Sequence, residues 1–342
     1  MAHVGTQPIS PTPARIFETL NAYQRTGALR AAIELDLFTA IAEGCKTVPE
    51  IADRVDASEK GARVLCDYLC VMEFLTKSGS EYELSPDSAL FLNRHSPAYM
   101  GTAAQFLGEI ERLSGYFNDV AAAVRKGGTT MPGDGTIEPE NPLWVTFARS
   151  MAPMMRPPSE AIAKLIDAPA GRNWKVLDIA AGHGMFGIAV AKQNPNARIV
   201  ATDWAAVLEV ARENAEKAGV SERYSLLPGS AFEVEFGTGY DVVLLTNFLH
   251  HFSVSTCEGL LEKIRAAMKP DGIVVTLEFI PNEDRISPPV DAGFSMMMLA
   301  STPEGDAYTF TQLESMFRQA GFSLSELHEL LPLPQRVVLS YY

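Results

Sequence analysis

Residues 176–188 read VLDIAAGHGMFGI, an apolar strand-like run that breaks into a turn holding two glycines and resumes as a helix. A strand that ends in a glycine turn and opens a helix is the first unit of an α/β sheet, and such sheets bind ligands at the carboxyl ends of their strands. Gly182, Gly184 and Gly187 match the spacing GxGxxG, a weak signal alone, and Ala180 stands where nucleotide sites often carry glycine. KVLDIA, ARIVATD, DVVLLTN and GIVVTLEF are short β-branched runs, separated by helical segments such as VLEVARENAEKAG. The fold class is therefore α/β, a Rossmann-like, doubly wound parallel sheet with right-handed crossovers. Asp203 ends the second strand, where a carboxylate reaches the ribose hydroxyls of an adenosine or, alternatively, caps the next helix. Asp178, inside the first strand's end, orients the turn or meets a cationic amino group.

The N-terminal half has a different grammar. From Ala14, RIFETLNAYQRTGALRAAIELDLFTAIAEG places apolar residues at three- and four-residue steps, as amphipathic helices do. Thr47 with Glu50 makes a capping box, and Ser58 caps a second helix carrying Val64, Leu65, Tyr68 and Leu69. FLTKSGSEYELS then alternates around a Ser-Gly-Ser turn, as a hairpin does. Helix, turn, helix and hairpin make a mostly α winged-helix domain. Its charge excludes groove reading: five bases face nine acids between Lys46 and Asp87, without the basic stripe that DNA binding needs.

The whole chain carries a net charge of −14, which repels nucleic-acid phosphates. Residues 1–13, MAHVGTQPISPTP, lack the cationic and long apolar parts of a signal peptide and read as a mobile leader. No apolar run is long enough for a membrane span. Four cysteines without a CxxC pair fit a reducing compartment, so the expected location is cytoplasmic.

VLDIAAGHG, ATDW, LPGSAFE, DVVLLTNFLHHF and MKPDGIVVTLEF, in this order, resemble the motifs of class I S-adenosylmethionine (SAM) dependent methyltransferases. With the winged-helix half, residues 14–340 resemble the small-molecule O-methyltransferases that include plant caffeate and flavonoid enzymes and bacterial antibiotic-tailoring enzymes. The resemblance implies SAM as cofactor, S-adenosylhomocysteine (SAH) as product, no metal, and a homodimer joined through the N-terminal domain. It divides the chain into a leader (1–13), a winged-helix dimerisation domain (14–100), a helical linker and pocket segment (101–168) and a SAM-binding domain (169–342). It places the methionine moiety near Asp178, Ala180, Gly182 and Gly184, the ribose on Asp203, and the adenine beside Trp204, with Asn247 bordering the cofactor. The family's adenine-reading aspartate falls at Ser230 in GSAFE, so adenine recognition rests on Ser230, Ala231 and Phe232.

In NFLHHFS the match to the family's LHDW makes His250 the general base, with His251 in place of the aspartate. An imidazole takes a proton from a hydroxyl at neutral pH. Glu278, ending GIVVTLE, matches the glutamate that orients this histidine, whereas the family's third acid falls at Ala307. Trp144, Phe147, Met151 and Met155 share one helix face, which packs in a core or, by the resemblance, lines the acceptor pocket together with His251 and Met298. The resulting expectation is O-methyl transfer. The alternatives are an S- or C-methyltransferase of the same fold, a SAM-sensing winged-helix regulator and an NAD-dependent oxidoreductase.

Overall fold

The computed structural model describes residues 11–331 and 335–342, so residues 1–10 of the expected leader lie outside the described residues. The chain divides into two compact units, Met1–Ile110 and Glu111–Tyr342.

In the first unit the helices Val48–Arg54 and Glu59–Val71 are followed by a hairpin of β1 (Leu75–Ser78) and β2 (Glu81–Leu84). The helix starts form as their sequence dictates. Glu50 Oε2 accepts the Thr47 N–H at 2.9 Å, and Ser58 Oγ accepts the Gly61 N–H at 3.1 Å. Ile33, Leu37, Phe38, Ile51, Leu69, Leu75 and Tyr82 form the core. Asp67 gathers Arg63, Lys77 and the Tyr82 hydroxyl, so these cations are spent within the unit. Ile16, Phe17, Leu20 and Tyr23, on the helices Ala14–Leu20 and Ala22–Glu34, stay more than half exposed.

The second unit is built on β3 (Lys175–Ile179), β4 (Arg198–Asp203), β5 (Tyr224–Pro228), β6 (Tyr240–Thr246), β7 (Met268–Glu278), β8 (Leu324–Glu329) and β9 (Arg336–Tyr341). Their order is β5-β4-β3-β6-β7-β9-β8, with the first five parallel and β9 antiparallel to both neighbours. Periodicity predicts β3, β4, β6 and β7, which are the apolar, buried strands. It misses β5, whose five residues end in proline, and the terminal pair β8 and β9, which makes the sheet mixed.

The helix Leu143–Leu165 runs 23 residues through Pro153, Pro157 and Pro158, well beyond the face from Trp144 to Met155 that the sequence marks. Each proline removes one N–H donor from the ladder. Packing on the helices Met185–Gln193 and Ala205–Lys217 offsets that loss. Among the described residues, no helix is long and apolar enough to cross a membrane.

Candidate active site

Beyond β3 the backbone enters the left-handed region at Ala180 (φ +50°), Gly182 (φ +56°) and Gly184 (φ +75°). At Ala180 this conformation strains a residue with a Cβ by about 1 kcal/mol. Gly184 admits no side chain at all: a Cβ there would lie 2.7 Å from the Tyr224 hydroxyl and 3.0 Å from Ala211. The helix opening at Met185 therefore borrows its acceptors. His183 Nδ1 takes the Met185 N–H at 3.1 Å, and Asp178 Oδ2 takes the Gly187 N–H at 3.0 Å. Burial pushes His183 down to about 4, which keeps that lone pair free.

Asp203 closes the turn from the other side. Its Oδ2 accepts the Gly182 N–H at 2.9 Å and its Oδ1 accepts the Trp204 N–H at 2.7 Å, while Trp204 is the N-cap of the following helix. Burial raises Asp203 to about 6. Burial, with the Asp203 charge adding, raises Asp178 to about 8. Asp178 Oδ1, Thr202 Oγ1 and the Tyr224 hydroxyl are buried without a hydrogen-bond partner.

After β5, Ser230 Oγ accepts the Phe232 N–H at 3.3 Å, and Ala231 is buried in the core. Phe232 is 37% exposed and meets Phe252 edge-on at 4.9 Å; Phe248 meets Phe252 at the same separation. Trp204, Trp144 and Val145 pack together on Ala148, Val207 and Val210. Asn247 adopts φ +54°, donates its N–H to Leu277 O at 2.7 Å, and accepts from the Gln335 side chain through Oδ1.

The short turn Leu249–His251 follows β6. Glu278, at the end of β7, organises it. One carboxylate oxygen takes the N–H groups of Phe248 and Leu249 at 2.9 Å each, and the other meets His250 Nδ1. Three N–H donors suit an acceptor-only carboxylate, so Nδ1 carries the proton and Nε2 holds a lone pair. His250 and Glu278 are buried. The His250 ring lies 4.2 Å from that of His251 and 4.8 Å, edge-on, from Phe294, which stacks on Phe279 at 4.1 Å.

His251 meets Trp144 edge-on at 5.3 Å, and Phe147 meets Trp144 at 5.5 Å. Met151 and Met155 continue that stripe and are buried, as is Met298, one turn beyond Phe294. The segment 128–136 is fastened to the end of the helix Pro289–Ser301: Thr129 Oγ1 donates to Ala300 O at 2.7 Å and Thr136 Oγ1 to Ser301 O at 3.0 Å. Thr136 O in turn accepts from Trp144 Nε1 at 3.0 Å. At Ala307 no carboxylate enters, and the neighbouring Asp306 is paired with Arg285 at 2.5 Å.

The structure thus brings His250, His251, Glu278, Trp144 and Phe147 into one contact set, and Asp178, Gly182, Gly184 and Asp203 into another. Sequence reasoning assigns no part to Tyr224, Phe248, Phe252, Phe279, Phe294 or Gly305, the last of which lies against the His250 carbonyl. Phe248 and Phe252 lie inside the motif NFLHHFS, Phe279 follows Glu278 in GIVVTLEF, and Phe294 stands i, i+4 from Met298, whereas Tyr224 carries no local signal.

Asp178 and Asp203, two acids with no cationic partner among the described residues, hold the glycine turn and fit a cationic nucleoside such as SAM. Residues 159–323 match the O-methyltransferase domain and residues 17–94 the O-methyltransferase dimerisation domain. A crystal structure from Nostoc punctiforme, of a protein provisionally classed as an O-methyltransferase, shares 52% identity over 97% of this chain and 100% of that one, with a TM-score of 0.94. The chain belongs to the O-methyltransferase family. Among curated relatives, the 3-hydroxy-5-methyl-1-naphthoate 3-O-methyltransferase of Streptomyces sahachiroi is 27% identical over 93% of this chain and 92% of its own. Human N-acetylserotonin methyltransferase in complex with SAM shares the fold, with a TM-score of 0.81 at 22% identity, covering 98% of this chain and 99% of its own. This family member is a SAM-dependent O-methyltransferase of a small molecule.

Proposed function

We propose that this enzyme methylates a hydroxyl on a planar, largely apolar acceptor, with His250 as the general base. The observation that carries this reading is the buried His250–Glu278 pair one step beyond the tip of β6, faced by Phe294 with Phe279 stacked behind it, while Trp144 packs on the adjacent His251. When bound, SAM supplies a methyl group on a positively charged sulfur, which leaves as a neutral thioether. Asp178, Ala180, Gly182, Gly184 and Asp203 hold its amino-acid and ribose parts; Trp204, Ser230, Ala231, Phe232 and Asn247 border its base. His250 Nε2 takes the acceptor's hydroxyl proton as the oxygen attacks, and Glu278 stabilises the imidazolium through Nδ1. Trp144, Phe147, Met151, Met155 and Met298 form the apolar wall that excludes water from the reacting oxygen. The naphthoate named for the Streptomyces relative is an acceptor of this class.

The exposed apolar residues of the first helices support a homodimer joined through residues 14–100, with 101–168 as the pocket segment and 169–342 as the SAM-binding domain. Four free cysteines support a cytoplasmic location. The test is transfer of labelled methyl from SAM to a panel of phenols and naphthols by wild type and His250→Gln. Loss of product by at least about 100-fold in the variant is expected. Undiminished transfer would remove His250 from the chemistry.

A further inference from the structure

Buried phenols in this protein find acceptors: the Tyr82 hydroxyl donates to Asp67, that of Tyr240 to Phe236 O at 2.7 Å, and that of Tyr308 to Phe252 O. Tyr224 is different. Its hydroxyl is sealed from solvent without a hydrogen-bond partner, and so is Oδ1 of Asp178, a residue with no exposed surface at all. A buried polar group left unpaired is costly, and here two such groups share one place. In the sheet register Tyr224 of β5 lies opposite Ile199, and Asp178 of β3 lies opposite Ala201. Ile199 and Ala201 are two residues apart on β4, so Tyr224 and Asp178 stand on the same face of the sheet. Both side chains reach Gly187, in the first turn of the helix Met185–Gln193: a Cβ there would lie 2.7 Å from Asp178 Oδ2 and 3.3 Å from the Tyr224 ring. The hydroxyl itself ends under the glycine turn, 2.7 Å from where a Cβ of Gly184 would stand.

We propose that Tyr224 is a positioning residue of the cofactor site, whose hydroxyl donates to Asp178 Oδ1 when that carboxylate ionises beside the amino group of bound SAM. This rests on the amino-acid end of SAM lying at Asp178. In the free protein burial raises Asp178 to about 8, so its carboxyl is protonated at neutral pH. The arriving ammonium favours the carboxylate, and the proton leaves to solvent. An ionised carboxylate accepts at both oxygens. Oδ2 already has the Gly187 N–H, and Oδ1 has no donor until the phenol turns to it. Burial, with the charges of Asp178 and Asp203 adding, holds the Tyr224 pKa well above the usual tyrosine range, so the hydroxyl remains a donor. The other groups around the pair leave this part to Tyr224. Asp203 of β4 takes its own donors from Gly182 and Trp204, and His183 in the turn is neutral and spends Nδ1 on the Met185 N–H. The facing helix Ala205–Lys217 presents Ala211, which has nothing to donate.

The test compares SAH with 5′-methylthioadenosine, which keeps the adenosine and the thioether and lacks the amino-acid end. Their affinities are measured by calorimetry from about pH 6 to about pH 8.5 in wild type, Tyr224→Phe, Asp178→Asn and the double variant. At neutral pH Tyr224→Phe weakens SAH at least about fivefold, as the loss of one hydrogen bond to a charged group predicts. It leaves 5′-methylthioadenosine within about twofold of wild type, which reports an intact fold and adenosine site. The pH below which SAH affinity declines also moves upward in Tyr224→Phe, because ionised Asp178 has lost a donor. With Asp178→Asn in place, Tyr224→Phe produces neither change. SAH binding that Asp178→Asn weakens but Tyr224→Phe leaves untouched, in strength and in pH profile, overturns the assignment of Tyr224. Equal losses for SAH and 5′-methylthioadenosine, or losses that add in the double variant, overturn it too, because they mark a packing role. SAH affinity that Asp178→Asn leaves unchanged removes the amino-acid end from Asp178, and this proposal with it.

Discussion

Glu278 grips His250 twice: directly, through Nδ1, and indirectly, through the N–H groups of Phe248 and Leu249 that lead into its turn. One carboxylate therefore sets both the tautomer of the imidazole and the position of the loop that carries it. Replacing Glu278 by glutamine keeps the shape but offers Nδ1 a donor as readily as an acceptor. A fall in kcat of about 10²- to 10⁴-fold is expected. With a nitrophenol already ionised at the assay pH, the loss should shrink to a few-fold, because no proton remains to be removed. An equal loss on ionised and un-ionised acceptors would assign Glu278 a purely structural part.

Burial raises the two carboxylates of the glycine turn, Asp203 to about 6 and Asp178 to about 8, so both hold protons in part or in full at pH 6.5. A cation arriving beside them favours their ionised forms. Binding of SAM at pH 6.5 should release up to about one proton per site, read as the dependence of binding enthalpy on buffer ionisation enthalpy. SAH, without the sulfonium charge, should release less. Asp178→Asn should remove most of the effect, and proton uptake on SAM binding would contradict it.

Gly305 lies against the back of the histidine turn, where a Cβ would stand 2.3 Å from His250 O and 2.6 Å from Thr302 Oγ1. Both obstacles are held in place, the first being backbone and the second a side chain that donates to Met298 O. Gly305→Ala must shift the turn. It should cost about 1–3 kcal/mol in unfolding experiments and lower kcat/KM at least about tenfold, with SAH affinity little changed. Wild-type kinetics would show that the turn yields freely.

His183 binds its proton less readily when folded, at about 4, than an ordinary histidine at 6.5. The unfolded chain takes up a proton that the folded chain refuses. This contribution is therefore fully present above pH 6.5 and is lost as the pH falls toward 4. Asp178 and Asp203 act in the opposite sense, so the useful quantity is a difference between two proteins. His183→Asn keeps an acceptor for the Met185 N–H and does not titrate. Between pH 7.5 and 5, wild type should lose up to about 2 kcal/mol more than this variant in denaturant titrations.

The sheet, the glycine turn and the histidine pair were legible because each is local. A strand of β-branched residues, a turn with glycines and a motif such as NFLHHF announce themselves within a dozen residues. The partners of those residues come from afar. Phe294 reaches His250 from a later helix, backed by Phe279 just past the end of β7, and Tyr224 reaches the glycine turn from the start of β5. The helix carrying Trp144 reads as ending near its prolines, because propensity registers lost donors and not the two helices that brace it. Ala180 in the left-handed region was hidden too, since only glycine advertises that conformation.

The segment that holds Trp144 in place is attached to the end of the helix Pro289–Ser301 through the carbonyls of Ala300 and Ser301, and Gly128 and Gly135 let the two backbones touch. None of these anchoring points belongs to the aromatic side chains around His250 and His251. The frame and the aromatic side chains it carries can consequently vary independently in evolution: residues at positions such as 147 or 294 are free to drift while the frame around them keeps its spacing. A laboratory search for altered selectivity should therefore randomise the lining and leave Thr129, Thr136 and their two glycine neighbours untouched.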